Sequence, residues 1–185
     1  MISNKTLEEY KWVNSYIRCL SSLPCSWGPA RADIVVNFVE SAPKDRFVIK
    51  NTGECDFENI IVEIDLTSSV GRLIFDTTAN GAGAEVFQPF EVREGEVRLL
   101  VENKVNDGER MLSVGIKKLS PDTSVSFTLD VDDTLPKSEL GNIRVSGSEI
   151  SNGQVSVSYG DEPVSSALFS TQSVAIVPAP MCGTK

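Results

Sequence analysis

From Asp33 onward, apolar side chains return at every second position. Ile34, Val36 and Phe38 alternate with Val35, Asn37 and Val39, in a run that ends at Ala42-Pro43. Phe47 and Ile49 alternate with Val48 and Lys50 until Asn51-Thr52-Gly53 interrupts them. Ile60, Val62, Ile64 and Leu66 then alternate with Ile61, Glu63 and Asp65. A period of two is that of a strand with one buried face, and Asn/Gly/Asp-rich breaks between such runs are turns. The same grammar predicts a short strand at 72–76 and an edge or bulged strand at 86–92, where Pro89 withholds a backbone donor. Further strands are expected at 97–102 and, after the hairpin signal Asn106-Asp107-Gly108, at 111–116. Val125, Phe127, Leu129 and Val131, alternating with Ser126, Thr128 and Asp130, form the most regular half-buried pattern. Strands at 143–150, 154–159 and 164–169 complete the series. Turn signals recur about every ten residues with no helical run between them. This predicts an all-β body over 33–169, an immunoglobulin-like or Greek-key antiparallel β-sandwich.

The two ends differ. Residues 1–32 form a leader in which Leu7, Tyr10, Val13, Ile17 and Leu20 recur at spacings of three and four behind a Thr6/Glu9 capping pair. That spacing predicts a short N-terminal amphipathic helix. Ala30-Arg31-Ala32 has the small-x-small form of a cleavage site. However, Glu8 and Glu9 and the Ser/Pro-rich 20–28 segment lack the character of a signal peptide. Asn4-Lys5-Thr6 is a glycosylation sequon, relevant to a protein secreted by a eukaryotic cell. Residues 170–185, with Val177-Pro178-Ala179-Pro180, are expected to be an extended tail along the surface.

Charge and composition narrow the function. A formal charge of -9 over 185 residues argues against nucleic acid or an anionic membrane as partners, since both need a basic face. No apolar run has the length of a membrane-spanning helix. The chain has no histidine. That excludes Ser/His/Asp and Cys/His nucleophile systems and any His-bearing zinc site. Cys19, Cys25, Cys55 and Cys182 fit no zinc or redox spacing. Cys55 and Cys182 pair across the tail in an oxidising compartment, or all four remain ordinary thiols.

The sharpest motif is Asp130-Val131-Asp132-Asp133-Thr134. As D-x-D-x-T it resembles the magnesium-binding nucleophile motif of haloacid-dehalogenase-type phosphatases. That fold needs the motif early in an α/β domain, after a strand buried on both faces. Here it follows an alternating strand late in the chain. A second reading is calcium, with Asp130, Asp132 and Asp133 as hard oxygen ligands clustered at a strand end, outside any EF-hand spacing. The third is a solvated acidic face. Lys44-Asp45-Arg46 forms a local ion-pair turn or a contact surface, and no chemistry is assigned to it.

The strings VESAPKDRFVIKNTGECDF, IDLTSSVGRLIFDTTANGAGAEVFQPFEV, FTLDVDDTLP and IRVSGSEI occur in that order. Over roughly Asp33 to Ala167 the chain resembles the aggregation factor core proteins, namely the wreath domain of the sponge aggregation factor and its bacterial relatives. The resemblance implies a non-enzymatic, extracellular or cell-surface module that associates with copies of itself and mediates calcium-dependent adhesion, with glycans or matrix proteins as further partners. It supplies no catalytic residues. Edge strands of the sandwich would serve as association sites, with Pro89 limiting uncontrolled pairing. A monomeric carbohydrate- or ligand-binding sandwich is the competing expectation, and the phosphatase a remote one.

Overall fold

The computed structural model describes residues 32–78, 88–100, 105–137, 140, 144–160, 162 and 164–179. The expected N-terminal helix and the Asn4 sequon lie outside them. Within them the chain is all-β, and every strand pairing is antiparallel. No helix among them is long and apolar enough to cross a membrane.

Among the described residues, eleven strands form two sheets. The first contains β1 (Ala32–Val39), β2 (Asp45–Asn51), β4 (Ile74–Asp76), β5 (Glu91–Glu94), β8 (Ser124–Asp132) and β11 (Val174–Ala179). Its order is β11-β1-β2-β8-β4, and β5 also pairs with β8. The second contains β3 (Phe57–Asp65), β6 (Val97–Leu99), β7 (Met111–Leu119), β9 (Gln154–Ser158) and β10 (Ser165–Leu168), in the order β10-β9-β3-β7-β6. The chain passes repeatedly from one sheet to the other, so the inward faces share a single core in a sandwich-like arrangement. Ile34, Val36, Phe47, Ile49, Phe127 and Leu129 line it from the first sheet; Ile60, Val62, Ile64, Val114, Ile116 and Val155 line it from the second. These are the alternating positions of the sequence pattern, because removal of apolar area from water sets which face turns inward.

Asn51 ties the sheets together at one end. The alternation that buries Phe47 and Ile49 also buries this amide, which is fully enclosed. Its Nδ2 donates to Cys55 O at 2.7 Å and to Leu119 O, at the end of β7, at 3.1 Å; its Oδ1 accepts from Gly53 N at 2.8 Å. Alanine at this position removes the side-chain donor that both carbonyls share. Asn51→Ala is expected to lower stability by about 1–3 kcal/mol in urea unfolding.

Four expectations are corrected. The body does not end at Phe169: Val174–Ala179 of the supposed tail is β11, paired with β1 from Ala32↔Ala179 to Asn37↔Val174. Pro178 is accommodated because β11 is an edge strand. Pro89 precedes β5 instead of lying within it, so the blunted edge is the one that carries Pro178. The strand expected at 143–150 is a turn from 147 to 152. There Ser146 N donates to Glu149 Oε2 at 2.6 Å and Glu149 N donates to Ser146 O at 2.9 Å, so local polar groups satisfy the backbone before a ladder can. Finally, β8 is not half-buried. Every residue from Val125 to Asp132 is buried, and the strand is central to its sheet, paired with β2 along one edge and with β5 and β4 along the other.

Candidate metal centre

The register of β8 against β4 builds the site. Phe75 lies opposite Val131 and faces the core, so the alternate positions Asp76 and Asp130, paired with each other, fall on the opposite face, followed by Asp132 opposite Ile74. One carboxylate oxygen from each of Asp76, Asp130 and Asp132 lies within 4.8 Å of the other two. All three residues are buried, at 1%, 5% and 2% exposure. Neither oxygen of Asp76 receives a hydrogen bond from outside the cluster among the described residues, and Asp132 is the neighbour with which it can share a proton.

Neighbouring groups add to the negative field. The turn at Asn106-Asp107-Gly108 is held against β4 by Phe75 N donating to Glu109 O at 2.8 Å and Gly108 N donating to Phe75 O at 3.0 Å. Asp107 thereby comes close enough for its charge to act on Asp76. Burial raises Asp107, but hydrogen bonds from the hydroxyls and backbone N–H groups of Thr78 and Thr77 outweigh it and hold its carboxyl below the usual range. Asp45 sits on the core face of β2, opposite Leu129, where its Oδ1 accepts from Ser41 N at 3.0 Å and its Oδ2 from Val131 N at 3.2 Å.

The effect on ionisation follows from this crowding. Burial, opposed by the Ser41 and Val131 N–H groups and reinforced by the charges of Asp130 and Asp132, pushes Asp45 up to about 8. Burial and the charges of Asp132, Asp107 and Asp130 push Asp76 up to about 7. Asp130 is raised to about 7 by burial and by Asp132, against the lowering influence of Val131 N–H and Lys44. Lys44 offers limited relief, since its Nζ is already 2.8 Å from Glu91 Oε1 and 3.0 Å from Pro89 O. At neutral pH such a cluster resolves in one of two ways: it holds protons, or it holds a cation. Three convergent hard oxygens, with no nitrogen or sulfur ligand beside them among the described residues, make that cation calcium or magnesium in type.

The sequence placed Asp130 and Asp132 correctly on one strand face. It did not bring in Asp76, which lies 54 positions earlier in the chain. The available signal was an aspartate closing the apolar string Leu73-Ile74-Phe75, just before a Gly-rich connection. Asp45 was hidden by Lys44 and Arg46, although Asp45, Phe47, Ile49 and Asn51 share one period-two face. No ion-pair turn forms there, because Asp45 points inward. Asp133 stands apart from the cluster: its Oδ1 accepts from Leu135 N at 2.9 Å and shapes the turn after β8. Cys55 is disulfide-bonded, while Cys182 lies outside the described residues. Neither protein-family models nor characterised proteins match the chain.

Proposed function

We propose that this chain is an extracellular, calcium-binding adhesion module that assembles with copies of itself, as its resemblance to the aggregation factor core proteins implies. The observation carrying this reading is the set of three buried carboxylates within 4.8 Å of one another. A cation that neutralises them would lock β4 onto β8 at one side of the first sheet. Calcium suits the site better than magnesium, because it accepts irregular oxygen cages and sheds water readily. The disulfide-bonded Cys55 is in keeping with an oxidising, extracellular setting. The crossings between sheets fit a Greek-key sandwich of the immunoglobulin-like kind. The phosphatase reading has little support: among the described residues its motif lies in an antiparallel sheet with no crossover helix.

Light scattering against calcium concentration tests the assembly. A monomer of 20.1 kDa in chelator should give way to a defined multiple of that mass as calcium is added. A particle that stays monomeric at every calcium and protein concentration would remove self-association and favour the monomeric ligand-binding module.

A further inference from the structure

We propose that the face of the first sheet turned away from the core carries a second site, which binds the oxyanion group, carboxylate or sulfate, of a small ligand. Val39, Arg46, Thr128 and Glu91 lie side by side across β1, β2, β8 and β5, as the pairings Val39↔Arg46, Arg46↔Thr128 and Thr128↔Glu91 show. Their neighbours Phe38, Phe47 and Phe127 face the core, so this row faces outward. A cavity of about 610 Å³ opens over it, walled by Pro43, Lys44 and Arg93.

The charges in this groove do not balance. Lys44 Nζ lies 2.8 Å and Arg93 Nη1 3.5 Å from the same residue, Glu91, which is therefore shared between two cations. Arg46 has no carboxylate within ion-pair distance among the described residues. A local excess of positive charge on a chain of formal charge -9 draws anions to that place. Directly opposite Arg46 in the register, Thr128 is 8% exposed, and its hydroxyl has no hydrogen-bond partner among the described residues. A guanidinium fork beside an unsatisfied hydroxyl matches an oxyanion, which accepts from the guanidinium directly and from the hydroxyl once the Thr128 side chain turns it toward the groove. An isolated exposed arginine would mean little. Here it borders a cavity also lined by Thr128, whose hydroxyl is closed off from solvent and lacks a hydrogen-bond partner among the described residues.

The groove adjoins the cation centre on the same sheet face and shares the influence of Lys44 with Asp130, so the test is run in chelator, where anion binding is read without calcium. Amide chemical shifts should be followed in EDTA at constant ionic strength while sulfate or glucuronate is added, with glucose as the neutral control. Saturable shifts at the amides of Arg46 and Thr128 are expected, with Kd on the order of millimolar. Arg46→Gln should weaken binding by about tenfold or more, as loss of a charged hydrogen bond requires, and Thr128→Val by roughly threefold. Binding of both anions supports the shared oxyanion chemistry; binding of only one supports it and names the source. Absence of saturable shifts at these amides with either anion would overturn the proposal. So would an affinity left unchanged by both Arg46→Gln and Arg93→Gln.

Discussion

With calcium at about 100 times its Kd, the folded chain is expected to gain about 2.7 kcal/mol, a rise in Tm of roughly 5–10 °C. The gain should vanish in Asp76→Asn and in the double variant Asp130→Asn/Asp132→Asn. The metal-free pH dependence provides the sharper signature. Asp45, Asp76 and Asp130 titrate near 8, 7 and 7 in the folded state, against an ordinary carboxyl value of 3.8. Between those limits the folded chain binds more protons than the unfolded one. In chelator, stability is therefore fully present below about pH 4 and is lost as pH rises through 7 to 8. Each such group contributes a slope of up to about 1.4 kcal/mol per pH unit. Calcium should flatten this slope, since it holds the carboxylates of the cluster ionised.

The asparagine variants add a result that a purely structural role would not produce. Removing a buried carboxylate removes repulsion, so in chelator at pH 8 they should be as stable as the parent or more stable, while losing the response to calcium. Calorimetric titration and thermal melts at pH 5, 7 and 8, with and without calcium, give the full comparison. Flat titration traces for the parent, with melts that calcium does not move, would end the metal-centre reading.

Phe127→Ala is expected to be the most damaging single change in the core, at about 3–5 kcal/mol. The ring is fully buried and centres a cluster that spans β2, β8 and the approach to β5. Its centroid lies 5.4 Å from that of Phe47, nearly parallel at 22°, and 4.9 Å from that of Phe90; Phe47 in turn touches Phe38 at 5.2 Å. Truncation forfeits apolar burial, ring contacts and filled volume together. Against a total stability of about 5–15 kcal/mol, such a loss leaves little reserve. Phe127→Leu should recover much of it in urea unfolding, because volume-retaining changes usually cost less than about 1.5 kcal/mol. Equal stability of the alanine variant and the parent would show that β8 is not the centre of the core.

By itself the sequence determined the all-β class, the inward faces of β1, β2, β3 and β8, and the shared face of Asp130 and Asp132. Each is a period-two property, written in neighbouring residues and enforced by the burial of apolar area. Tertiary structure decided what alternation does not encode. The tail joined the sheet as β11 because β1 had a free edge to satisfy, and the 147–152 segment became a turn because its own polar groups closed it. β8 became a central strand because strands distant in the chain pair with both of its edges. Above all, Asp76 reached Asp130 only through the pairing of β4 with β8. Register between remote strands is fixed by the packing of the whole core, so the meeting of these carboxylates belongs to the fold and to no local stretch of sequence.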